Sequence, residues 1–213
     1  MRPRGVVRRW ALAAVGALAL APASVRAQTG RAPAGAQARV AVATFASGCF
    51  WCSESDFEKV PGVVDAVSGY TGGRVANPTY EQVSRGGTGH REAVQVFYDP
   101  SRVNYSQLLD AFWRNVDPVD PAGQFCDKGE HYTSAIYVAN AEERRLAEAY
   151  KHNLAQSGRI KQPIATAIVD TAPFYKAEEY HQSYYKKNPI RYKFYRTNCG
   201  RDRRLEQVWG GKS

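Results

Sequence analysis

The stretch Gly48-Cys49-Phe50-Trp51-Cys52 sets two thiols apart by two large aromatic residues. A disulfide, half of a zinc site and a nucleophilic thiol all use such a pair. The small-residue turn Ala46-Ser47-Gly48 leads from a predicted strand into a predicted helix, and Cys49 falls at the helix start. Free N–H groups and the helix dipole favour negative charge there. The Cys49 thiol is therefore expected to titrate below the ordinary cysteine range and to be partly thiolate near neutrality. Cys52 lies a turn further in, where the same field is weaker. Phe50 and Trp51 offer an aromatic wall for a small apolar group beside the thiol. Core packing is the competing explanation of both rings.

Other groups suited to chemistry lie in loops and at strand ends. Glu92 opens the alternating run Glu92–Tyr98, in which Val94 and Val96 are spaced to face the core. By the same period Glu92 points inward, where a carboxyl is either paired or protonated. Spacing alone nevertheless favours a surface position at the strand's edge. Asp127 follows Cys126 in a long loop, and Tyr80 and Tyr132 flank turns. The four histidines show no paired metal-ligand spacing. Cys126 and Cys199 are single and far apart, so the CxxC finds no second half for a four-cysteine zinc site. A Cys–His pair through His90 has little else to support it.

The elements that must hold these groups follow from periodicity. Arg39–Phe45, Val63–Tyr70, Glu92–Tyr98, Thr133–Val138 and Ile164–Val169 read as strands. Phe50–Lys59, Tyr105–Val116, Ala141–Ser157 and a tyrosine-rich Lys176–Lys187 read as helices. Thr79 with Gln82 forms a capping-box pattern, and Asn104 is a second candidate cap. The order β-α-β, β-α-β, then extra elements, predicts an α+β two-layer sandwich of the split-βαβ kind. Its long loops have no secondary structure of their own and so point to function.

Composition limits the rest. Residues 1–27 hold five arginines, no acid, an apolar core and the small residues Val25 and Ala27 around a cleavage position. This is a secretory signal pattern, too short to span a bilayer. It predicts export to the periplasm after cleavage near Ala27, with retention as an uncleaved anchor as the alternative; Arg8-Arg9 leaves Sec and twin-arginine routes open. Residues 28–37 read as a flexible linker and 38–213 as one domain. The net charge of +9 falls to +4 once the five leader arginines are removed. The remaining basic residues are scattered, so no nucleic-acid partner is expected. Four cysteines in an exported chain would by default form two disulfides, and a stapled binding domain is the bland competing function.

Beyond composition, GCFWC, SGYTGG (Ser68–Gly73), NPTYEQV (Asn77–Val83), TGHREAV (Thr88–Val94), FCDKGEHYTSAIY (Phe125–Tyr137), HQSYYKKNP (His181–Pro189) and NCGRD (Asn198–Asp202) together resemble peptide methionine sulfoxide reductase A. The resemblance covers residues 39 to about 209 and implies a ferredoxin-like mixed sheet with additional helices. It implies a Cys49 nucleophile, a Phe50–Trp51 pocket for the substrate methyl group, and Tyr80, Glu92 and Tyr132 around the sulfoxide oxygen, with Asp127 supporting them. It further implies reduction of methionine-S-sulfoxide, free or in oxidised proteins, through a Cys49 sulfenic acid. A second thiol would condense with that acid: Cys199 is favoured, with Cys52 and Cys126 as alternatives. The disulfide would be reopened by thioredoxin or, outside the cytoplasm, by a periplasmic thioredoxin-like dithiol. No cofactor, no metal and a monomer are the family's expectation.

Overall fold

The computed structural model describes residues Val40–Gly210. The predicted signal peptide and linker lie outside the described residues. The chain runs through β1 (Ala41–Ala46), α1 (Phe50–Phe57), β2 (Val63–Thr71), α2 (Tyr80–Ser84), β3 (Arg91–Tyr98) and α3 (Tyr105–Arg114). A short hairpin of β4 (Gly123–Gln124) and β5 (Asp127–Lys128) follows, then a 3-10 turn over Glu130–Tyr132. Next come β6 (Ala135–Val138), α4 (Ala141–Gln156), β7 (Ala167–Asp170) and β8 (Phe174–Lys176). The chain closes with α5 (Tyr184–Lys187), α6 (Pro189–Asn198) and α7 (Arg201–Trp209).

The main sheet has the order β7-β6-β1-β3-β2-β8. Every neighbouring pair is antiparallel except β6 and β7. β3 therefore slots between β1 and β2, and its four central strands have the order of a ferredoxin-like sandwich, as expected. Phe45, Val94, Val96 and Ile136 are fully buried beneath Phe50, Phe57, Leu108, Phe112 and Trp113 from the helices. The opposite face has a smaller cluster of Ala46, Ala93, Ala135 and Tyr137, packed by Val169 and Phe174. Burial of alternate positions on β3 is what fixes its register, since a slip by one residue would turn Val94 and Val96 outward.

Both predicted caps form. Thr79 and Gln82 exchange hydrogen bonds at the start of α2, and Asn104 and Gln107 do so at the start of α3. The tyrosine-rich helix over Lys176–Lys187 does not form. Phe174–Lys176 instead pairs with the edge of β2, and Gln182 uses its side-chain amide as a substitute strand: Oε1 accepts from Ser68 N and Nε2 donates to Ser68 O. Ser183 then takes a left-handed backbone, φ 50°, which confines α5 to four residues. Tertiary pairing has overridden helix propensity here. The basic tail beyond it is two helices, α6 and α7.

The tail is locked onto α1. Glu54, 1% exposed, accepts from Ser68 Oγ at 2.7 Å and from Ser183 N at 2.7 Å. Arg196 forks onto Asp56, with Nη1 at 2.8 and 3.0 Å from its two oxygens. Arg201 is 1% exposed and donates to the carbonyls of Ser47 and Asn115. Buried charges of this kind are tolerated only with such partners.

Candidate active site

The strand-to-helix turn after β1 depends on Gly48. Its φ is +82°, and a Cβ there would lie 2.6 Å from Cβ of Gln124. Gln124 cannot move aside, because it is fully buried and holds both backbone groups of Asp117. Gly48→Ala is expected to cost at least about 1–3 kcal/mol from the left-handed backbone alone. The check is the urea midpoint of the variant against wild type.

Cys49 is the N-cap of α1, and its carbonyl accepts from Cys52 N and Ser53 N. The first N–H of the helix, on Phe50, donates at 2.9 Å to Oε2 of Glu92. This pairing crosses from α1 to the middle of the sheet, where Glu92 stands opposite Tyr70 in the β2–β3 register. Glu92 is 2% exposed, so the inward reading of the alternation holds and the strand-edge alternative falls. Burial is the main reason its pKa is pushed up to about 8; the Phe50 N–H opposes the shift, and Asp127 and Cys52 add to it. At neutral pH Glu92 is thus mostly a carboxylic acid. Oε2 accepts from the backbone, which leaves Oε1 to carry the proton.

The expected lowering of the Cys49 pKa is not what the structure gives. Cys49 is 6% exposed, and burial pushes its thiol well above the ordinary value; Cys52 and Glu92 push it further, while a hydrogen bond with Tyr195 opposes them. The helix start has also spent its first donor on Glu92. Charge settles on Cys52 instead. A hydrogen bond from Cys49 lowers Cys52 to about 7 against the effect of burial, and Arg201 and Arg196 assist. The two thiols behave as a pair that shares a proton, with the proton on Cys49.

Tyr80 and Tyr132 come together as the spacing could not show. Their hydroxyls hydrogen-bond each other, and both feel Glu92 and Cys49. Burial pushes Tyr80 up to about 12 and Tyr132 higher still, so both remain proton donors. Tyr80 is positioned by Glu178, whose carboxylate accepts from Tyr80 N at 2.9 Å and from Tyr70 Oη at 2.8 Å.

The two aromatic residues of the turn differ. Phe50 is 1% exposed and packs against Tyr70 and His181, so it belongs to the core. Trp51 is half-buried and stacks on Tyr184 at 3.7 Å. Its indole N–H donates to Nδ1 of His181 at 3.0 Å. The ring wall nearer solvent is therefore Trp51, backed by Phe50.

Two residues that the sequence reading passed over sit among these groups. His181 is 2% exposed and its ring lies between those of Phe50, Trp51 and Tyr80. Burial lowers its pKa, so it is a neutral orienting group. Tyr195, on α6, hydrogen-bonds Cys49 and donates to Oδ2 of Asp127 at 2.5 Å. Nothing in its local sequence marked it. His90 has an architectural place: Nδ1 accepts from Gly73 N, and Nε2 meets the Val75 carbonyl.

Cys126 and Cys199 form a disulfide, while Cys49 and Cys52 are free and buried. Asp127 stands beside the bond, with Oδ1 3.6 Å from Cys126 Sγ and Oδ2 3.8 Å from Cys199 Sγ. Burial raises the Asp127 pKa against the opposing hydrogen bond from Tyr195. The groups around Cys49 thus include a protonated buried acid, paired phenols, and a phenol–carboxyl link that runs toward a disulfide.

Residues 41–213 match the family model described as peptide methionine sulfoxide reductase. The chain is 52% identical over 172 residues to the peptide methionine sulfoxide reductase MsrA of Bacillus pumilus, covering 81% of this chain and 97% of that protein. It is 51% identical over 171 residues to the MsrA of Bacillus subtilis, covering 80% and 97%. Among solved structures it is similar to methionine sulfoxide reductase A of Corynebacterium diphtheriae, with TM-score 0.64 and 34% identity over 73% of this chain and 78% of that one. It is also similar to reduced Mxr1 from Saccharomyces cerevisiae, with TM-score 0.65 and 33% identity over 73% and 89%.

Proposed function

This chain belongs to the peptide methionine sulfoxide reductase family and is an oxidoreductase acting on methionine sulfoxide; from that premise we propose that Cys49 takes the oxygen from methionine-S-sulfoxide, free or in oxidised proteins, and that Glu92 supplies the proton. The carrying observation is Glu92, a carboxyl buried beside the Cys49 turn and still protonated near neutrality. A sulfoxide oxygen leaves sulfur only when protonated, and an acid with a pKa near the working pH is suited to that transfer. Tyr80 and Tyr132 donate to the same oxygen and hold its charge. Trp51, backed by Phe50, receives the methyl group.

Proton transfer leaves a Glu92 carboxylate close to Cys49. It also leaves a substrate sulfur that is electron-poor. The Cys49 thiol then attacks that sulfur and gives its proton back to Glu92. A bond forms between Cys49 Sγ and the substrate sulfur, the twice-protonated oxygen leaves that sulfur as water, and a water molecule then attacks Cys49 Sγ, which breaks the new S–S bond, releases methionine and leaves Cys49 as a sulfenic acid. The high resting pKa of Cys49 is compatible with this order, because the thiol is deprotonated only once substrate has been protonated. Cys199 condenses with the sulfenic acid and water is released. A dithiol reductant of thioredoxin type, periplasmic if the leader directs export, regenerates the thiols. The biological role is repair of oxidised proteins by a monomer.

The test gives the protein a peptide with each methionine sulfoxide epimer and excess dithiol, and follows peptide mass. The expected result is loss of one oxygen from the S epimer alone. Loss from both epimers at equal rates, or from neither, overturns the reading.

A further inference from the structure

We propose that the reduced form of the protein carries a zinc site: Cys126 and Cys199 as thiolates and Asp127 through Oδ1 hold one Zn2+, and water fills the fourth position. Disulfide and metal then compete for the same two sulfurs. The site needs nothing from the sulfoxide chemistry above, and the thiols of the Cys49 turn take no part in it.

The fold brings the three ligands together from two places. Cys126 and Asp127 belong to the β4–β5 hairpin, and Cys199 caps the C-terminus of α6. One ligand atom of each, the two Sγ and a carboxylate oxygen, lies within 4.8 Å of the others. Asp127 sets Oδ1 3.6 Å from Cys126 Sγ and Oδ2 3.8 Å from Cys199 Sγ. Zinc binds sulfur at about 2.3 Å and carboxylate oxygen at about 2.0–2.2 Å, so a tetrahedral site holds sulfur and oxygen about 3.5 Å apart. The carboxylate already stands at that spacing. Two sulfurs on one zinc stand about 3.8 Å apart and share no bond, so reduction must come first.

The surroundings suit a metal. Tyr195 donates to Asp127 Oδ2, which orients the carboxylate and leaves Oδ1 for the ion; carboxylate ligands are commonly held by such an outer partner. Cys126 N donates to Cys199 Sγ at 3.2 Å, and a donor to sulfur favours the thiolate. The Arg201 guanidinium lies over the Phe125 ring at 4.6 Å, and Arg203 borders the same groove as Cys199, so positive charge stands near an anionic ligand set. Entry is open, since Cys126 is exposed and the groove beside Cys199 has a volume of about 540 Å3.

The steps balance. A dithiol supplies the two electrons that open the Cys126–Cys199 bond and ends as a disulfide itself. Zinc then replaces the two thiol protons, which pass to solvent, and no electrons move. On the functional reading above, a Cys199 sulfur held by metal cannot condense with a sulfenic acid. Zinc is therefore an inhibitor of this protein and not its cofactor.

The experiment uses the full chain with no sulfoxide present. The protein is reduced with a phosphine, freed of it and titrated with Zn2+ against a chromophoric chelator. Co2+ in place of zinc reports thiolate ligation through its charge-transfer absorption. Reduced wild type should take up one Zn2+ per chain, and the oxidised protein, with Cys126–Cys199 formed, none. Cys126→Ser should bind at least about 10-fold more weakly, and so should Asp127→Asn, which keeps both thiols. Cys52→Ser should bind as wild type does. Urea midpoints establish that the variants are folded. No uptake by reduced wild type, or equal uptake by the oxidised protein, overturns the site. Wild-type affinity in Cys126→Ser or Asp127→Asn overturns it too, and loss of binding in Cys52→Ser moves the metal to the Cys49 turn. None of these outcomes touches the reductase reading, which stands or falls on the peptide-mass test.

Discussion

Glu92→Gln is expected to slow the first turnover about 10²–10⁴-fold, the usual range for losing a positioned proton donor, and to make the protein more stable at alkaline pH. Glutamine keeps an oxygen to accept from Phe50 N but has no proton to give. Wild-type first-turnover rate should be level below about pH 8 and fall as Glu92 ionises above it. The variant should lack that falling limb. The stability effect has the opposite sign. The folded pKa, about 8, lies above the ordinary glutamate value of 4.5, so the folded state binds the proton more tightly than the unfolded chain does. The stability linked to it is whole below pH 4.5 and is lost as pH rises to about 8, at about 1.4 kcal/mol per unit. Between pH 6 and pH 9 the variant should gain about 2–3 kcal/mol on wild type. Rapid-quench rates across pH and urea unfolding at the two pH values read the two effects. A variant with wild-type rate, or one whose stability runs parallel to wild type, contradicts the assignment.

Cys49→Ser should remove oxygen transfer altogether, by at least about 10⁴-fold even with excess dithiol. The loss is chemical and not a matter of packing. A sulfur that accepts the oxygen becomes a sulfenic acid; a hydroxyl that did so would become a hydroperoxide, which has no driving force here. Cys52 offers no substitute, since it is 2% exposed and lies on the inner turn of α1. The readout is single-turnover peptide mass, with the urea midpoint against wild type as the control for folding. Oxygen loss in this variant would transfer the nucleophile's role to Cys52.

Much of this arrangement is legible in local sequence. The alternation of Glu92, Val94 and Val96 admits a carboxyl in the core because a strand's period is two, but only the assembled fold decides it against the strand's edge. The turn before Cys49 and the caps at Thr79 and Asn104 are equally local. What escapes is whatever depends on partners distant in the chain. His181 meets Trp51 across 130 residues, and Tyr195 meets Asp127 across 68. The predicted helix over Lys176–Lys187 fails because β2 and Ser68 claim its residues. The direction of the Cys49 pKa escapes for a related reason. Helix position is readable from sequence, whereas burial and the capture of Phe50 N–H by Glu92 are products of the assembled fold.

The clasp between α1 and the tail carries a consequence for biosynthesis. Arg201 reaches back 154 residues to the carbonyl of Ser47, and Arg196 reaches back 140 to Asp56. At about 5–20 residues per second, a ribosome adds the later partner roughly 8–30 s after the earlier one. Through that interval the nascent chain has Cys49 but neither its phenol nor its cover. The thiol at that stage lacks its Tyr195 partner, and its surroundings are complete only when the last two helices are made.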